Sequence, residues 1–167
     1  MDFIDGLPKS KGKSTIFVVV DQLSKLTRFN PISHPYTLAS ITQEFFDNIF
    51  KLDGMPKYII CDMDHVFTSA FCKELFRLQG TSFKFSSAYH PQTDDQMKVV
   101  NRVVEMYLRC FTSNNPKEWV RWIAWAEYSY NTSIHSSTKK PPYEIVYSRL
   151  PPTLLSHLPR ATSVELV

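Results

Sequence analysis

Thr15–Ile32, TIFVVVDQLSKLTRFNPI, is the stretch on which the fold turns. Its first six residues are an apolar run rich in β-branched side chains, which predicts a buried strand ending at Asp21. Leu26–Ile32 roughly alternates and predicts a following strand. Upstream, the polar run GLPKSKGKS fits a hairpin loop leading back to a strand at Met1–Ile4. Three strands in immediate succession form an antiparallel meander.

Beyond Ile32 the period changes. Thr37 is placed as an N-cap, and Leu38, Ile41, Phe45, Ile49 and Leu52 follow at helical spacing. Gly54 and Pro56 end that helix. Tyr58–Ile60 predicts a short strand running into Cys61 and Asp62, Ser69–Leu78 a second amphipathic helix closed by Gly80, and Phe83 and Phe85 a fifth strand. His90–Arg102, HPQTDDQMKVVNR, opens like a loop and continues as a helix to about Phe111. Asn115, Pro116 and Glu118 then carry a helix-start signal. The helix they open holds Trp119, Trp122, Ile123 and Ala126, a pattern that suits core packing or an interface. A last helix is expected near Pro142–Tyr147. The expected fold is α/β: a mixed five-stranded sheet, its first three strands antiparallel, flanked by helices. Residues 1–150 make one domain, and 151–167 an extended tail.

The bulk numbers agree. The chain has 167 residues, 43% apolar, enough for one real core. The 4 glycines against 11 prolines argue against a sandwich of many tight hairpins. A formal net charge of +3 is a mild basic bias, compatible with nucleic acid. No apolar run reaches the roughly 20 residues of a membrane helix. Asp2 and Asp5 stand where a signal peptide carries positive charge. Cys61, Cys72 and Cys110 include no Cys-x-x-Cys pair, which fits free thiols in a reducing, intracellular compartment rather than a zinc knuckle.

The expected chemistry begins with carboxylates. Asp2 and Asp62 lie at the ends of the first and fourth strands, which such a sheet brings near each other. Asp64 reads as a turn former. Two carboxylates held together repel unless a cation lies between them. Two divalent metals about 3.5–4 Å apart would serve phosphoryl transfer. Such a site needs a third carboxylate, and the helix after His90 is where one can enter.

The blocks MDFIDGLPKSKG, VVVDQLSK, HPYT, FKLDGMP, CDMDHVFTS, FCKELFRLQGT, SSAYHPQTDDQ, VVNR, WAEYSYNTSIHSST and PPYEIVYSR resemble, in order and to about Pro152, the integrase catalytic core of gypsy-type long-terminal-repeat retrotransposons. The resemblance implies an RNase H-like fold and a polynucleotidyl transferase that cuts and joins DNA with magnesium or manganese. It implies DNA partners (retroelement ends and target), a homo-oligomer, no membrane, and a nuclear location if functional. Asp2 and Asp62 match the first and second family carboxylates and metal ligands. Lys98 occupies the place of the third, the glutamate of a run resembling HPQTDGQTEVVNR. Thirty-five residues stand between Asp62 and Lys98, the spacing familiar in this superfamily.

An ammonium in place of that carboxylate cannot coordinate while protonated, and it repels metal. The second metal site and strand transfer are then expected to be lost. Asp94 and Asp95, four and three residues earlier, share its helix face as substitutes, whereas Glu105 lies two turns away. Otherwise Lys98 either pairs with Asp2 and Asp62 as a tethered cation or is a solvated surface lysine. The polar stripe Lys98, Asn101, Arg102, Glu105 and Arg109 is a wet face or, by resemblance, a face that meets DNA together with Tyr89 and Gln92. Met63, His65, Lys139 and Lys140 also depart from the family pattern. The start at Met1 predicts a shortened first strand, and the family's zinc-binding and C-terminal DNA-binding domains are expected to be missing. Two readings follow: an integrase core retaining some activity, or a catalytically dead RNase H-like module that binds DNA or partner subunits. A decayed copy with no role remains the bland alternative.

Overall fold

The computed structural model describes residues 1–54, 56, 59, 70, 71, 73–75, 77 and 91–152, with 91–96 described by backbone alone. The meander forms as expected: β1 (Asp2–Ile4), β2 (Thr15–Val20) and β3 (Thr27–Ile32) make a sheet ordered β1-β2-β3. Both pairings are antiparallel, with Asp2 opposite Val18 and Val18 opposite Phe29. Three strands are found among the described residues. The fourth and fifth strands, expected at Tyr58–Ile60 and around Phe83 and Phe85, fall largely or wholly outside them.

Thr37 caps α1 (Leu38–Phe45) through a capping box with Ser40. The helix continues through a π segment, Phe46–Phe50, and a final turn, Lys51–Asp53, stopping at Gly54 with φ 82°. α2 runs over Pro91–Thr112, so PQTDDQ, expected to open as a loop, is helical. Proline suits this place, because the first helical N–H needs no partner. Asn115 makes no side-chain cap. A 3₁₀ turn, Pro116–Glu118, instead leads into α3 (Trp119–Thr132). α4 (Pro142–Tyr147) closes the described chain.

β2 is apolar from Ile16 to Val20 because helices cover both faces of the sheet. On one face Ile16 and Val18 pack with Met97, Val100, Val104 and Leu108 of α2 and Trp119, Ile123, Ala126 and Tyr130 of α3. On the other, Phe17 packs with Ile41, Phe45 and Ile49, and with Phe71 and Leu75 from the expected second helix. The aromatic helix is thus mainly core, although Trp125 is 46% exposed.

Among the described residues β3 is an edge strand, and α3 closes it. The Asn131 carboxamide accepts from Thr27 N–H at 2.9 Å and donates to Thr27 C=O at 2.8 Å. One turn earlier, Glu127 Oε2 accepts from Phe29 N–H at 2.8 Å. Pro31, next in the alternation, has no N–H to offer. An edge so covered cannot template another strand. Arg28 braces the same corner, with bonds to Asp53 at 3.0 and 3.2 Å and to Tyr147 at 3.3 Å. Burial opposes its charge, yet these bonds and the two nearby carboxylates hold its pKa above the ordinary value. Glu127 is also raised, because burial outweighs the Phe29 bond and the looser 3.4 Å contact with Arg28. Burial pushes the Tyr130 phenol up to about 12, so it stays protonated.

Asn131→Ala strands a buried N–H and C=O and should lower unfolding free energy by about 2–4 kcal/mol in denaturant titrations. Because the folded Glu127 pKa is raised, its contribution is greatest below the ordinary glutamate value of about 4.3 and declines as pH climbs through the raised value. Glu127→Gln, which can still accept from Phe29, should flatten that slope in melts between pH 4 and 6.

Candidate metal and nucleic-acid site

β1 places Asp2 beside the middle of α2. Strand pairing holds its backbone opposite Val18, and the half-buried carboxylate is fixed at both oxygens. Oδ1 accepts from Phe3 N–H at 2.8 Å, and Oδ2 accepts from the Asn101 side-chain amide at 2.6 Å. Asn101 was expected on the wet, DNA-facing stripe. It is half-buried and directs its amide to Asp2, and its own Oδ1 is buried with no hydrogen-bond partner among the described residues. The burial of Met97, Val100 and Val104 sets this rotation of the helix, since one apolar stripe must face β2.

Asn101 thereby locates Lys98. The lysine stands one turn earlier on α2, on the helix side that passes Asp2, and it is exposed. No ion pair joins Lys98 to Asp2 among the described residues. Asp62 and Tyr89 lie outside the described residues. Gln92, Asp94 and Asp95 fall in the first two turns of α2, so Asp94 and Asp95 do sit four and three helical residues before Lys98. Arg102 and Arg109 are exposed and Glu105 half-buried.

The described residues test the fit of a metal only in part. A carboxylate oxygen carries two acceptor sites, so Asp2 keeps capacity for a cation after its two hydrogen bonds. The orphaned Asn101 Oδ1 beside it would suit a donor such as a metal-bound water. Among the described residues no three His, Cys, Asp or Glu side chains cluster as a metal site. No described helix is long and apolar enough to cross a membrane. Sequence reasoning missed the Asn101–Asp2 bond. The only signal for it was the position of Asn101, one turn after Lys98.

No protein-family model matches the chain. The Transposon Tf2-3 and Tf2-4 polyproteins of Schizosaccharomyces pombe are each 41% identical over 151 residues, 90% of this chain and 11% of the polyprotein. The chain therefore spans about a tenth of the length of these relatives. Among solved structures, the cryoEM structure of the simian T-cell lymphotropic virus intasome in complex with PP2A regulatory subunit B56 gamma aligns with a TM-score of 0.66 at 18% identity, over 93% of this chain and 56% of that one. The HTLV-2 integrase catalytic core domain in complex with magnesium (trimeric form) aligns at 0.60 and 18% identity, over 86% and 93%. The BIV integrase catalytic core domain aligns at 0.57 and 18%, over 88% and 93%. The chain is homologous to a segment of the Tf2 retrotransposon polyproteins, and it has the fold of a retroviral integrase catalytic core, which is consistent with the RNase H-like class.

Proposed function

We propose that this chain is the catalytic-core module of a retrotransposon integrase, built to bind DNA, whose cutting and joining chemistry is impaired by Lys98. The Asn101–Asp2 hydrogen bond carries the reading. It joins α2 to β1, and residue 98 stands one turn before Asn101 on the same helix. That is where the family's third metal ligand would enter, and the residue there is a lysine.

In this proposal Asp2 and Asp62 would hold magnesium or manganese, which when bound supplies activation of a water or a DNA 3′ hydroxyl for attack at phosphorus. Asn101 orients Asp2 by fixing Oδ2, leaving that carboxylate little rotational freedom. Lys98 contributes no ligand. It reduces the site from three negative charges to a net one, which weakens its hold on two divalent ions. With Arg102, and with Tyr89 and Gln92 where the family meets DNA, it keeps a basic face suited to phosphates. The alternative, a non-catalytic module that binds DNA or partner subunits, shares every structural element and differs in that Lys98→Glu would gain neither metal binding nor strand transfer. Assembly into a multimer on nuclear DNA ends belongs to the same proposal.

On retroelement-end duplexes with manganese or magnesium, the unmodified chain should give no strand transfer, and Lys98→Glu should gain both manganese affinity by calorimetry and product. Metal-dependent joining by the unmodified chain, abolished by Asp62→Asn, would refute the impairment. In the Lys98→Glu background, Asn101→Ala should weaken manganese binding roughly 10–100-fold, the range for loss of a residue that orients a metal ligand. Unchanged affinity would remove Asn101 from that role.

A further inference from the structure

We infer that the β1–β2 hairpin, Gly6–Ser14, is a second phosphate-binding surface that engages the backbone of duplex DNA apart from the Asp2 site. The inference rests on the nucleic-acid reading above and adds a surface to it. The hairpin carries Lys9, Lys11 and Lys13. Its tip lies nine residues beyond Asp2, at most roughly 30 Å along an extended chain.

Three observations support it. The first is that the hairpin is a rigid frame. Ser10 N–H donates to Lys13 C=O at 2.8 Å and Lys13 N–H to Ser10 C=O at 2.9 Å, closing a two-residue turn on Lys11 and Gly12. Ser10 is 2% exposed. The indole N–H of Trp119 donates to Pro8 C=O at 2.7 Å, and Val120 N–H donates to Ser10 Oγ at 3.4 Å. Those bonds tie the start of α3 to the loop, and the exposed Lys117 and Arg121 flank the two bonded residues in sequence, the Arg121 guanidinium lying 5.8 Å from the Trp122 ring centroid.

The second is the tip conformation. Lys11 has φ 48° and Gly12 φ 80°, both left-handed, as a type I′ turn requires. Asparagine or glycine suits the first of these positions, and lysine does not. A strained lysine at the apex of a loop anchored by buried bonds fits a surface whose charge is used.

The third is composition. Five cations, Lys9, Lys11, Lys13, Lys117 and Arg121, meet two acids there, Asp5 and Glu118, so this corner alone matches the chain's net +3. No large apolar side chain is exposed between Gly6 and Lys13. A protein interface depletes lysine and centres on buried aromatic or apolar anchors, whereas a phosphate backbone needs only spaced cations.

The test titrates a fluorescent blunt-ended duplex with the 167-residue chain by anisotropy, from 50 to 200 mM salt. It compares the chain with Lys11→Asn and with Lys9→Gln/Lys11→Asn/Lys13→Gln. We expect the triple variant to lose at least tenfold in affinity and its log–log salt slope to fall by about 2–3, near 0.9 per phosphate contact. Lys11→Asn should bind more weakly while melting no lower than the parent, because asparagine relieves the turn. A parent that binds steeply with salt while the triple variant matches it in affinity and slope overturns the hairpin assignment and leaves the nucleic-acid reading standing. A parent that fails to bind at 50 mM salt defeats that reading, and the hairpin with it. Hairpin-dependent binding to phosphatidylserine vesicles without duplex binding overturns the assignment in favour of a lipid surface.

Discussion

The two hydrogen bonds between Asn131 and Thr27 fix the rest of the molecule. They hold α3 against the outer strand at one height and rotation. α2 packs on α3, so its register against the sheet follows, and Asn101 arrives at Asp2 as a result. The identity of residue 98 matters only because this chain of contacts brings it to the same corner. A clamp on the outer described strand and the burial of the α2 apolar stripe together bring Asn101 to Asp2.

The meander was legible because β2 is a short apolar run rich in β-branched residues, β3 roughly alternates, and the polar stretch before β2 suits a hairpin loop. α1 was legible from Thr37 and Gly54, whose capping and left-handed roles are local chemistry. Reading Pro91 as part of a loop failed because proline and small polar residues are as suitable for the first turn of a helix as for a turn outside one. The cap expected at Asn115 failed for a related reason, as a 3₁₀ turn satisfied the same backbone groups through main-chain atoms.

The site was legible only where spacing carried it. Asp2, Asp62 and Lys98 were singled out by resemblance to a family pattern; α2 passes Asp2, and Asp62 lies outside the described residues. Contacts across 99 residues of sequence leave no periodic trace, which is why Asn101 was assigned to solvent and DNA. Glu127 and Asn131 were hidden likewise. Polar residues four apart on an aromatic helix look like its wet side, and only the neighbouring strand reveals that they face an unpaired edge.

Asn131 also sets a limit on how this sequence can drift. Meeting one residue's N–H and C=O together demands an acceptor and a donor on a short planar group, and the asparagine carboxamide supplies both. Aspartate lacks the donor, and glutamine projects the same group one methylene too far. A lysine at position 98 leaves the packing intact, because that side chain points to water. Residue 98 can therefore change at little cost to the fold, whereas position 131 cannot. The constraint on this sequence sits on the outer described strand, not at the corner beside Asp2.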